Sequence, residues 1–89
     1  MKRPTAILKT DEIKNSVNQY QLKNWINATF TNTGESPVEI QGILYKTGET
    51  YDAGAGPYEV ECTISIRFKP DTVGQTQCVV VNYAVLKCN

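Results

Sequence analysis

Histidine is absent from the 89 residues. Its absence removes the usual general base beside a serine or cysteine nucleophile, and the commonest zinc ligand. No apolar run approaches the roughly 20 residues that a membrane-crossing helix needs. Excess charge is missing too. Nine Lys and Arg balance nine Asp and Glu, so the chain lacks the basic surplus with which nucleic-acid binders displace counterions from phosphates. Lys2-Arg3 forms the one basic cluster and reads as a solvated chain end. Met1-Lys2-Arg3 opens like a secretion signal, but Pro4, Lys9, Asp11 and Glu12 leave no apolar stretch behind it. The expectation is a chain made in a cytoplasm, with neither nucleic acid nor membrane as partner.

Cysteine is scarce and odd in number. Cys62, Cys78 and Cys88 exclude a fully paired disulfide framework, and their spacings contain no Cys-x-x-Cys pair. No metal site and no cofactor are expected. Cys62 alternates with Val60 and Ile64, which predicts a buried, reduced thiol. Catalytic alternatives are equally thin. Glu59 and Glu61 share one strand face but alternate with core residues, so they read as a solvated face rather than an acid–base pair. Asp52 with the glycines of 53–56 lacks the recurring oxygen ligands of a calcium loop, and no Gly-x-x-x-x-Gly-Lys phosphate cradle occurs. Neither an enzyme nor a small-molecule substrate is expected. Asn27-Ala28-Thr29 matches a glycosylation sequon but sits mid-strand without a signal, so it reads as chance.

What is present is strand periodicity. Tyr20, Leu22, Ile26, Ala28 and Phe30 share one parity from Gln19 onward, with a break that suggests a bulge at Asn24-Trp25. Asn32-Thr33-Gly34-Glu35-Ser36-Pro37 is a dense turn cluster. Val38, Ile40, Ile43 and Tyr45 continue the strand pattern, and Gly42 shifts its parity as a second bulge would. Lys46–Glu49 reads as a turn and Tyr51–Pro57 as a loop. Tyr58, Val60, Cys62, Ile64, Ile66 and Phe68 then alternate with polar residues over eleven positions. Lys69–Gly74 turns the chain into a last strand within Gln75–Lys87, predicted to pair with its predecessor so that Phe68 faces Thr76, Ile66 faces Cys78 and Cys62 faces Asn82. Upstream, Lys2–Thr10 reads as an edge strand centred on Ala6, Ile7 and Leu8, and Asp11–Asn18 as a connecting loop. The fold predicted is one all-β domain over 1–89, an immunoglobulin-like antiparallel β-sandwich of about 6–7 strands. Residues 1–18 form its N-terminal extension, edge strand and loop, and 19–89 its core.

Two segments carry a family resemblance. Ala28-Thr29-Phe30-Thr31-Asn32-Thr33-Gly34-Glu35-Ser36-Pro37-Val38-Glu39-Ile40 resembles the Phe-Thr-Asn-Thr-Gly segment of ASH/Hydin-like immunoglobulin-like domains. Ile64-Ser65-Ile66-Arg67-Phe68-Lys69-Pro70-Asp71-Thr72-Val73-Gly74 resembles the hairpin near the end of those domains, and the likeness covers about residues 26–87. It departs from the group in a short middle section, where a strand is reduced to the glycine-rich loop 53–57. The resemblance implies a scaffolding, adhesion or phage structural module.

Candidate contact residues follow from apolar side chains that one core cannot use. The last strand has Val79, Val81, Tyr83 and Val85 on one parity but also Val80, Ala84 and Leu86 on the other. One face points into a core, so Val80, Ala84 and Leu86 are candidates for a partner. Trp25 lies opposite its strand's core parity and is either a bulge-turned core anchor or an exposed contact. The expected role is structural: a small virion protein of the capsid-decoration, cement or tail-associated kind, made in the host cytoplasm and binding other structural proteins or copies of itself. The alternative is an adhesion or scaffolding module of a larger cell-surface, periplasmic or ciliary protein.

Overall fold

A computed structural model describes residues 5–54, 59–69 and 74–87. The described residues form seven strands: β1 (Thr5–Ile13), β2 (Val17–Asn32), β3 (Val38–Ile40), β4 (Ile43–Tyr45), β5 (Thr50–Asp52), β6 (Val60–Phe68) and β7 (Val79–Lys87). All pairings are antiparallel, in the order β1-β7-β2-β6-β3-β4 with β5 also on β2, and the two ends do not meet. Among the described residues there is no helix, and hence none long and apolar enough to cross a membrane; strand-built membrane proteins are untouched by that fact. A sheet without helices has only itself to cover its apolar face.

β2 makes that possible. Its first half, Val17 to Trp25, pairs with β6. Its second half, Trp25 to Asn32, pairs with β7 on one edge, and Thr29–Thr31 pair with β5 on the other. Tyr20 and Phe30 lie ten residues apart, roughly 33 Å along an extended strand. Their rings nevertheless meet edge-on at 5.8 Å. The strand has therefore turned back over itself. Asn24 (φ 59°) and Asn27 (φ 55°) supply the bend, each within a register shift of β2 against a neighbour: Lys23/Trp25 against β6 and Ile26/Thr29 against β7. Left-handed backbone is uncommon outside glycine, and asparagine is among the side chains that tolerate it best. The bulge expected at Asn24-Trp25 is present.

Folding over brings one core together from both halves. Leu22, Ile64, Ile66, Phe68, Val38 and Ile40 meet Ala28, Phe30, Val79, Val81 and Ile13 in a single buried cluster. Ala28 and Phe30 are buried in the core as the parity predicted; Ile26 is also buried, but the shift at Asn27 sets it on the other face opposite Ala84.

Asn32 ties the turn after β2 to this core. Fully buried, it accepts a hydrogen bond from the Gly34 N–H (3.1 Å) and donates from Nδ2 to the carbonyls of Ser36 (2.9 Å) and Tyr45 (3.1 Å). Its own N–H donates to Glu49 O and its carbonyl accepts from Gly48 N, so the β4–β5 turn hangs on the same residue. Beside it the chain before β7 crosses closely: Thr33 and Gly34 donate to Cys78 O, and Glu35 and Ser36 to Thr76 O. A Cβ on Gly34 would lie 2.6 Å from Thr76 O and 2.7 Å from Cys78 N.

Five sequence expectations need correction. Tyr51 and Asp52, read as the start of a loop, belong to β5, where they pair with Phe30 and Thr29 of β2. β6 and β7 do not form a hairpin; β2 lies between them in the sheet. The shift at Gly42 is not a bulge. Gln41 (φ 54°) and Gly42 (φ 82°) form a two-residue turn of the type I′ kind joining Ile40 to Ile43. Gln41 is held there by its N–H to Ser65 O (3.0 Å) and its Oε1 to Ser65 N (2.9 Å). The loop expected over Asp11–Asn18 shrinks to residues 14–16, because β1 runs to a buried Ile13 and β2 starts at Val17. Cys62 is exposed, not buried. β3 covers β6 only from Ile66 to Phe68, leaving the Cys62 end of that edge without a neighbour strand. Cys62 and Cys78 are free thiols; Tyr58 and Cys88 lie outside the described residues.

The turn yields a direct prediction. Asn32→Ala strands two carbonyls and an N–H in the interior and should cost about 2–4 kcal/mol. Gly34→Ala should cost about 2 kcal/mol or more, because the obstructing atoms are backbone. Gly42→Asn, in open space at a left-handed position, should cost within about 1 kcal/mol. Urea unfolding midpoints should fall in that order, and Gly34→Ala matching wild type would remove the close crossing from the account.

Candidate interaction surface

The half of the sheet made by β1, β7 and the end of β2 has an outer face of even-numbered β1 residues. In register across it lie Glu12–Val80–Thr31, Thr10–Asn82–Thr29, Leu8–Ala84–Ile26 and Ala6–Leu86. The upper rows are polar, with Thr10 Oγ1 donating to Asn82 Oδ1 (2.9 Å) and Thr31 Oγ1 bonded to Thr50 Oγ1 (2.9 Å). The lower rows are apolar. Leu8 is 85% exposed; among the described residues no strand lies beyond β1. Past Trp25, which pairs with Val85, β2 has turned away, so Leu86 has only Ala6 for a strand neighbour and is exposed as well. Between these rows runs an open groove of about 330 Å³, lined by Leu8, Thr10, Ile26, Asn27, Tyr83 and Ala84 among others.

The four candidate contact residues separate on this surface. Leu86 is exposed and Val80 half-buried. Ala84 is buried and forms part of the groove rather than a projecting contact. Trp25 is half-buried, packs against the core and stacks on Tyr83 at 3.6 Å with an 11° interplanar angle. Of its two readings, the bulge-turned anchor describes this position. Leu8 is the most exposed large apolar residue, followed by Ile43 and Leu44 on the short edge strand β4. Leu8 was legible as the apolar centre of an edge strand, but a pattern gives a face and not its cover. Glu59 and Glu61 are exposed, as a solvated face requires.

Aromatic rings form a continuous line across the interior. Tyr83 and Trp25 lead through Tyr20 (5.9 Å) and Phe30 (5.8 Å) to Tyr51 (6.0 Å) and Tyr45 (6.0 Å). Tyr20 closes the line against β1: its hydroxyl donates to Asp11 Oδ2 at 2.6 Å. Burial, followed by the Asp11 hydrogen bond and the Asp11 and Tyr83 charges, raises its pKa well above the ordinary value. Burial also raises Tyr51, with Cys62, Tyr45 and Asp52 adding to it. The surface ion pairs Lys14–Glu12 (3.9 Å) and Lys69–Glu39 (3.6 Å) are exposed enough to add little.

Comparison of the chain with protein-family models, curated proteins and solved structures gave no match.

The sign of the tyrosine effect is fixed by proton linkage. With the folded pKa raised, the unfolded chain loses its tyrosine proton first. Stability from Tyr20 is therefore complete below the ordinary value of 10.0 and is lost as pH rises above it. Unfolding midpoints measured from pH 8 to 11.5 should fall in wild type and fall less steeply in Tyr20→Phe. Parallel curves would place Tyr20 outside the alkaline transition.

Proposed function

We propose that the chain is an immunoglobulin-like β-sandwich module that works without catalysis, as a structural component of a larger protein assembly of the virion-decoration or cement kind. The observation that carries this reading is the apolar patch along β1 and β7. Leu8 and Leu86 lie on adjacent rows of the outer face, at one edge of a small domain, and both are exposed. Burying a side chain such as Leu8 against a partner is worth about 1.5–3 kcal/mol, enough to favour assembly over the free chain. The turned-back β2, which lays one half of the sheet over the other, supports the sandwich assignment. The segments 28–40 and 64–74, with their likeness to ASH/Hydin-like domains, support the structural rather than catalytic role. Val80 and Leu86 provide contact area on the outer face, with Ala84 shaping the groove between and Trp25 stiffening the end of the sandwich from within.

Purified particles from the source should contain the chain as a separate polypeptide in many copies. Leu8→Lys and Leu86→Lys should lower its retention on particles about tenfold each while leaving the unfolding midpoint unchanged within error. Recovery of the sequence only inside a much longer polypeptide would replace this reading with that of a scaffolding or adhesion module.

A further inference from the structure

The free edge of β1 carries a pattern that selects one partner. Among the described residues β1 pairs with no strand but β7, so along Thr5–Ile13 its other edge has no partner strand, with the Glu12 N–H capped by Asp11 Oδ1 (2.9 Å). No proline or glycine interrupts that strand, and β1 is not short. An edge of this kind is a template for another strand.

The side chains decide which strand and which register. A second copy added by a twofold axis perpendicular to the sheet keeps inner faces inner, so odd residues face odd and even face even. An axis through Lys9 would set Lys9 against Lys9 of the other copy, and one through Asp11 would oppose the two Asp11 carboxylates. Like charges directly opposite disfavour both. An axis through Thr10 sets Lys9 against Asp11 twice, Ile7 against Ile13 twice, Leu8 against Glu12 twice, and Thr10 against itself. Both charges are exposed and Ile7 is partly exposed, while Ile13 belongs to the core. An axis through Leu8 avoids repulsion as well, but pairs Ile7 with Lys9 and leaves Glu12 and Ile13 unmatched. Of these registers, Thr10 alone sets opposite charges against each other, with Glu12 left facing Leu8 on the outer face.

We infer that β1 pairs antiparallel with β1 of a second copy about Thr10, joining two chains through a continuous sheet held in register by reciprocal Lys9–Asp11 pairs. The inference rests on the assembly reading above and names one partner for it. Such a contact buries the backbone edge and moves Ile7 beside the core of the neighbour. The dimer it forms is symmetric and self-limiting, because each chain contributes its β1 edge once.

Charge reversal tests it with the full-length chain. Lys9→Asp gives a strand with two facing acids, and Asp11→Lys one with two facing bases. Each variant alone should self-associate about tenfold more weakly than wild type in sedimentation equilibrium, since two attractive pairs become repulsive. Mixed one to one, the two variants should form a heterodimer of near wild-type affinity, which also shows that both are folded. Both variants self-associating like wild type would overturn the β1 pairing while leaving assembly through the outer face standing. A wild-type chain monomeric up to about 1 mM would overturn it too. Particle retention that survives in that case would keep the broader reading.

Discussion

The fold rests on a single strand that belongs to both halves of the molecule. β2 contributes Leu22 to one side of the core and Ala28 and Phe30 to the other, and its bend lets Tyr20 touch Phe30. Nothing else in the chain could do this, because the remaining strands are nine residues or three. The cost is two asparagines in left-handed backbone; the return is a closed apolar interior built without a helix. Once β2 has turned, β6 and β7 are assigned to opposite edges of it, and the links between strands follow.

Asn32 and Gly34 do for the far end what Asn24 and Asn27 do for the bend. A buried amide satisfied by three backbone partners is a point where several segments share one set of hydrogen bonds. The turn after β2, the β4–β5 connection and the approach to β7 all converge there. The Thr-Asn-Thr-Gly string is therefore a structural lock.

Much of this was legible in the residues. Alternation over 60–68 and 79–85 located β6 and β7, and the broken parity at Trp25 located a bulge. What could not be read was which edges meet. A turn-rich link such as 69–74 between two strands reads as a hairpin, because sequential strands pair by default. The competing fact, that β2 is long enough to accept both strands, is a property of the whole chain. Gln41-Gly42 lacks the Asn-Gly signature of a tight hairpin and so resembled a bulge. Ile13 and Val17 fall within the polar stretch read as a loop, although one ends β1 and the other begins β2. Burial at Cys62 and exposure at Leu8 depend on where neighbouring strands stop, and alternation is silent on that. The contact surface was accordingly legible on β7, where two apolar faces compete for one core, and less so on β1.

The central claim is that β2 folds back and separates β6 from β7. Nuclear Overhauser contacts on the isotopically labelled chain test it directly, since they report protons within about 5–6 Å, the scale of neighbouring strands and packed rings. The account predicts contacts between the Tyr20 and Phe30 rings, between the Trp25 and Tyr83 rings, and across β2 from Leu22 to Cys62 and from Phe30 to Val81. Cross-strand contacts from Ile66 to Cys78 and from Phe68 to Thr76, with none between Tyr20 and Phe30, would contradict it.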